Sequence, residues 1–148
     1  MLFSPDRNKL RQTYVDAWRR FRQGLPLEPL QGQIAAVVQN HPEYHAILDD
    51  PEAVLGQDFP PELGQSNPFL HMGLHLAIRD QVATDRPLGI REAYSLLVTA
   101  SDSEHDAEHV LLECLAESLW QAHRHDSQAD EQAYLESIKR KLPRRQET

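Results

Sequence analysis

The stretch that decides the fold is residues 104–125, EHDAEHVLLECLAESLWQAHRH. Its apolar residues recur three and four positions apart, which is the period of a helix with one face against a core. Ser101 and Ser103 offer an N-terminal cap. The stretch therefore predicts a long central helix from about Glu104 to His125, roughly 33 Å at 1.5 Å per residue. Such a helix needs other helices to cover its apolar face.

Helical periodicity continues on both sides of this central helix, and turn residues separate the segments. A first helix ends at Gly24, a short one is opened by Pro42, and others are predicted over about 30–39, 67–84, 90–100 and 129–142. No strand-like alternation competes with them. The sequence predicts an all-α fold: a compact bundle of about six to seven helices in a single domain, 1–148. We expect a long acidic loop at 49–66 and a flexible basic tail at 143–148.

The charge balance limits the class of partner. Fifteen Lys and Arg stand against 23 Asp and Glu, a net charge of −8, which repels phosphate backbones and anionic membranes. We therefore expect no nucleic-acid and no membrane partner. The lone cysteine, Cys114, excludes an internal disulfide and suits a reducing compartment. The absence of a signal peptide pattern and of a spanning apolar stretch completes a prediction of cytoplasmic location.

The histidines carry the functional signal. The chain has eight histidines, and they include three pairs at i, i+4 spacing: His41 with His45, His71 with His75, and His105 with His109. Random placement gives roughly 0.4 such pairs. On a helix this spacing puts both imidazoles on one face, about 6 Å apart along the axis, as in zinc-binding helices. The repetition predicts a metal site.

The surroundings of two pairs support metal binding. His71 and His75 lie among apolar residues, and on the central helix His105 and His109 continue at steps of four to Glu113 and Glu117. Buried carboxylates and charged imidazoles cost several kcal/mol unless they are paired or ligating. We predict that the metal ligands are His71, His75, His105, His109 and Glu113. Glu117 is predicted to orient a ligating histidine rather than to bind.

The remaining histidines fit a metal site less well. His41 precedes Pro42 and is predicted to be non-helical, so His41 and His45 are candidate additional ligands only. His123 and His125 are predicted to lie at the surface. The competing interpretation of every pair is a hydrogen-bonded core histidine, with Glu113 merely neutralising His109.

The pattern also limits the type of metal site. Glu-x-x-His, the motif of ferritin-type di-iron bundles, is absent. Residues 105–109, HDAEH, match the inverted zinc peptidase motif, but only 39 residues follow in which the distant third ligand could lie. The spacings of His105, His109 and Glu113 are similar to those of hemerythrin-type di-iron proteins, by local analogy only. We expect one or two divalent transition metal ions, with zinc or iron favoured by imidazole.

Nearly the whole chain resembles the bacterial family of uncharacterised proteins known as domain of unknown function 1841. The resemblance lies in specific strings, namely Phe3-Ser4-Pro5, residues 41–45, residues 67–71 with His75-Leu76, Glu104-His105, Ala107, His109, residues 113–115 and Leu119-Trp120. It implies a bacterial cytosolic protein and no particular activity.

Three hypotheses follow. The protein is a non-haem iron or zinc enzyme acting on a small molecule or an oxygen species, a metal-binding or metal-sensing module without turnover, or a helical interaction protein whose histidines only pack. An exchangeable ligand on the metal would separate the first from the second. Metal content separates the third from both. Cys114 is predicted to be an inert buried thiol.

Overall fold

A computed structural model describes residues 5–50, 52 and 67–142, in which all regular secondary structure is helical. The helices are α1 (Pro5–Arg22), α2 (Pro29–Gln39), a 3-10 turn (Pro42–Tyr44), α3 (His45–Leu48), α4 (Pro68–Thr84), α5 (Ile90–Ala100), α6 (Glu104–Arg124) and α7 (Glu131–Lys141). The all-α class is thereby confirmed. The predicted loop 49–66 and the tail 143–148 lie almost entirely outside the described residues.

Local capping explains where these helices begin and end. The Ser103 side chain accepts a hydrogen bond from the backbone N–H of Asp106, which satisfies one of the free donors at the start of α6. Asn67 accepts from Phe69 and begins α4 in the same way. Gly24, at φ +70°, adopts the left-handed conformation that ends α1. At 21 residues, α6 is the longest of the described helices, as predicted.

The chain divides into two compact units, Met1–Leu76 and Ala77–Thr148, so the boundary falls inside α4. The core of the first unit is made by α1, α2, α3 and the first half of α4, and contains Tyr14, Trp18, Val37, Val38, Leu48 and Met72. In the second unit the buried apolar residues come from α5, α6, α7 and the second half of α4, and include Ile78, Ile90, Leu97, Leu111, Leu115 and Ile138. A single domain stays a prediction.

None of the helices in residues 5–50 and 67–142 combines the length and the apolar character that crossing a membrane requires.

Candidate metal centre

Three histidines of the first unit come from two segments that lie thirty residues apart in the sequence. His71 and His75 are one turn apart on α4, so both rings project from the same side of that helix. His41 lies between α2 and the 3-10 turn, with φ −129° and ψ 68°. Pro42 explains this conformation, because the residue before a proline is disfavoured in the helical region. The prediction that His41 is non-helical is confirmed.

The three imidazoles form a tight group. His41, His71 and His75 can each offer a ring nitrogen, and these atoms all lie within 4.8 Å of one another. The Nε2 atoms of His71 and His75 are 3.2 Å apart. Two ligands of a tetrahedral zinc ion, with bonds of about 2.0–2.1 Å, are about 3.3 Å from each other. The spacing of these two nitrogens therefore fits two corners of such a site.

A hydrogen bond to the backbone orients the ring of His41. Its Nδ1 donates to the backbone carbonyl of Val37 at 2.8 Å, and in a neutral imidazole this leaves the lone pair on Nε2. Ligating histidines commonly use their second nitrogen in this manner, which fixes the tautomer and strengthens the ligand. His41 and His75 are 1% and 0% exposed, so these polar rings are held in the protein interior.

His45 is separated from this group. Its Nε2 donates to the carbonyl of Val38 at 2.8 Å, and its ring lies 4.4 Å from that of Trp18. Because His41 is not helical, the spacing of four does not put the two rings on one face. The structure thus brings one of the two candidate additional ligands to the group and places the other against the core.

Tyr44 is a neighbour of the group that reasoning from the sequence missed. Its ring is parallel to that of His41, with centroids 5.6 Å apart and planes 7° apart. It meets the ring of His71 edge-on at 6.2 Å. Burial, and secondarily the charge of Glu43, raises the pKa of the Tyr44 phenol, so it is a neutral hydroxyl near pH 7. An aromatic residue three positions after His41 was the available signal.

The second unit holds the other predicted pair. On α6, the rings of His105 and His109 lie 4.5 Å apart; His105 is exposed and His109 is half-buried. Glu113 and Glu117 are both exposed, and Glu117 accepts a hydrogen bond from Gln121. The expectation that these carboxylates are buried is wrong. The assignment of His105, His109 and Glu113 as ligands stays a prediction.

The buried acid of α6 is instead Glu108, which is 6% exposed. Arg79 on α4 donates through Nε to both of its carboxylate oxygens, at 3.1 and 3.3 Å. The motif HDAEH therefore contributes one acid that serves an ion pair within the second unit. Sequence reasoning missed this pair, because nothing local links two residues 29 positions apart.

The predicted burial of Cys114 and the predicted exposure of His123 and His125 are confirmed. Cys114 is buried, and its neighbours on the helix, Leu111 and Leu115, belong to the same interior. His123 and His125 are exposed. Among the residues that the structure describes, the group of His41, His71 and His75 is the best candidate for binding a metal ion. Several imidazoles facing one point suit zinc, iron, nickel or copper, and not the oxygen-seeking ions magnesium and calcium.

Comparison with curated proteins and with solved structures gives no match. Residues 6–140 match a family described as Domain of unknown function (DUF1841), which covers most of the 148 residues. This agrees with the resemblance noted in the strings around the histidine pairs. The description names no activity, so the chemistry must be argued from the site itself. The chain belongs to the DUF1841 family.

Proposed function

We propose that the protein binds a divalent transition metal ion, zinc or ferrous iron, through His41, His71 and His75 of the first unit. The observation that carries this proposal is that these three imidazoles offer nitrogens within 4.8 Å of one another. Imidazole nitrogens at this spacing can bind one ion, and a borderline metal is the partner that such ligands select.

The main competing explanation is a group of packed, hydrogen-bonded histidines. In that case one ring nitrogen of the His71–His75 pair donates to the other across 3.2 Å, and His41 is satisfied by Val37. Metal binding explains more, because it also accounts for the meeting of a third imidazole, from another segment, with this pair.

The number of protein ligands decides what a site of this kind can do. Structural zinc sites have four protein ligands, whereas catalytic sites keep three and leave one position for water or substrate. In the second unit, α6 carries the half-buried His109 and the exposed His105 and Glu113. We propose these three as ligands of a second, weaker ion.

The number of ligands separates a binding or sensing protein from an enzyme. With four histidine ligands the ion is enclosed, which favours storage, sensing or structural stabilisation. With three it carries an exchangeable water, which favours hydrolysis or chemistry on an oxygen species. The net charge of −8 argues against nucleic acid or anionic membranes as partners in either role. Cytoplasmic location and bacterial origin remain predictions.

Metal analysis of protein purified without a histidine tag tests the proposal. We expect about one tightly bound zinc or iron ion per chain, or uptake of one Zn²⁺ or Fe²⁺ by chelator-treated protein. The double variant His71→Ala/His75→Ala should lose this ion. The matched control is His123→Gln/His125→Gln, which changes two exposed histidines and should retain it.

Two outcomes would overturn the proposal. One is wild-type protein that contains no metal and takes up neither Zn²⁺ nor Fe²⁺. The other is a folded His71→Ala/His75→Ala variant with an unchanged metal complement. The Co²⁺-substituted form then decides the number of ligands, because only a site with three protein ligands shows an exchangeable ligand.

A further inference from the structure

Tyr44 is placed by the backbone turn that also carries His41. The backbone N–H of Tyr44 donates to the carbonyl of His41 at 3.0 Å, which closes the 3-10 turn Pro42–Tyr44. Residues three apart in a 3-10 turn lie on the same side. The turn therefore brings the Tyr44 ring back over the His41 ring, where the two planes differ by 7°.

The same tyrosine also contacts a histidine from the other segment. Its ring is 75° from the plane of His71, with centroids 6.2 Å apart. Parallel and edge-to-face arrangements at these distances are the two that aromatic rings favour. Tyr44 thus touches one proposed ligand from the α2 end and one from α4. His41 and His71 themselves meet edge-on at 5.1 Å.

The ring plane of a histidine ligand matters because the nitrogen lone pair lies in that plane. The hydrogen bond from His41 Nδ1 to the Val37 carbonyl anchors one edge of the ring. With this single hydrogen bond, the ring can still rotate about the axis of that bond. A flat neighbour against the ring face removes that freedom. Outer groups that orient ligands in this way typically change metal affinity by about 10–100-fold when they are removed.

We propose that Tyr44 is a positioning residue of the metal site, and that it fixes the planes of His41 and His71 through its ring. This inference rests on the proposed function. The ring, and not the hydroxyl, carries the effect, so phenylalanine at this position is sufficient. No coordination by the phenol oxygen is involved.

The test compares Tyr44→Phe and Tyr44→Met with wild-type protein. Methionine is flexible and fills the space without a flat face, so the core loses little volume. We expect Co²⁺ and Zn²⁺ affinity about 10–100-fold lower in Tyr44→Met, with an altered Co²⁺ ligand-field spectrum, and wild-type values for both in Tyr44→Phe. The matched control is Tyr94→Met, which changes a half-buried tyrosine of the second unit.

The outcomes separate the two proposals. Wild-type protein that binds neither Co²⁺ nor Zn²⁺ refutes the metal site itself. If wild-type protein binds metal while Tyr44→Met keeps its affinity and spectrum, only the role of Tyr44 is refuted. A Tyr44→Phe variant as weak as Tyr44→Met would also overturn the inference, because the hydroxyl would then carry the effect. Should Tyr44→Met fail to fold, Tyr44→Leu provides the same comparison.

Discussion

At the scale of single residues, His41 and His45 lie four positions apart but make different ring contacts. Both side chains donate to carbonyls at the end of α2, His41 to Val37 and His45 to Val38. Only His41 does so through Nδ1, and a ring nitrogen of His41 lies within 4.8 Å of ring nitrogens of His71 and His75. His45 uses Nε2 and turns its ring to Trp18. The two residues therefore resemble each other in sequence and differ in role.

This difference predicts opposite results for two matched substitutions. His41→Gln should lower metal affinity by at least roughly tenfold, since even an outer partner of a ligand is worth that much. His45→Gln should leave metal content unchanged and cost about 1 kcal/mol of stability, because the amide can still donate to Val38 while the contact with Trp18 is lost. Metal content and thermal melting of both variants, with and without chelator, provide the measurement. Equal metal loss in the two variants would contradict this assignment.

The sequence reveals part of this site, for a physical reason. Spacing alone brings His71 and His75 together, because both lie within one regular helix. The conformation of His41 was also predictable, since Pro42 acts on its immediate neighbour. The approach of His41 to α4 was not, because it depends on how two segments thirty residues apart pack in the core. The contribution of Tyr44 was hidden for the same reason.

At the scale of helices, α6 shows why a pattern at steps of four overstates burial. Each step of four residues advances about 40° beyond a full turn, so three steps from His105 to Glu117 rotate by about 120°. Such a stripe winds away from any single face. The buried positions of α6 include Ala107, Glu108 and Leu111, and the stripe passes beside them. Helix ends were easier to predict, because caps such as Ser103 act locally.

The Arg79–Glu108 pair leads to a prediction about the packing of α4 and α6. The Glu108 side chain is 8% exposed, whereas that of Arg79 is 33% exposed. Removing the guanidinium takes the countercharge from a buried carboxylate, but removing the carboxylate leaves a cation that still reaches water. Arg79→Met should therefore destabilise the protein by about 2–4 kcal/mol and Glu108→Gln by only about 1 kcal/mol.

Urea unfolding of the two variants, followed by helical circular dichroism, measures this difference. Arg91→Met is a suitable control, because Arg91 is an exposed arginine that donates to backbone carbonyls at the end of α4. A larger loss of unfolding free energy in Glu108→Gln than in Arg79→Met would show that the carboxylate is not the costly buried partner.

At the scale of the whole molecule, the division at Leu76 places the three-histidine group in the first unit. An ion that binds only the folded form stabilises it by mass action, by about 2.7 kcal/mol when the free metal is 100 times the dissociation constant. We expect that stabilisation to be largest in the segments that carry the ligands. Whether it reaches the second unit depends on how cooperatively the chain unfolds.

Amide hydrogen exchange with and without Zn²⁺ resolves these effects along the chain. We expect the largest gain in protection at the end of α2 and in the first half of α4, and the smallest in α7, which carries no candidate ligand. A gain around His109 in α6 would support the ligands predicted on that helix. An equal gain in all helices would favour the single domain predicted from the sequence. No gain in α2 and α4 would contradict the site in the first unit.

The burial of Cys114 has a practical consequence for measuring local opening of the second unit. Cys114 is the only thiol in the chain and is 5% exposed. A reagent that modifies thiols therefore reacts with it faster when the second unit opens locally. The labelling rate of Cys114 therefore reports that opening, and no other cysteine contributes to the signal. The same burial delays oxidative crosslinking of two chains, because both thiols must first be uncovered.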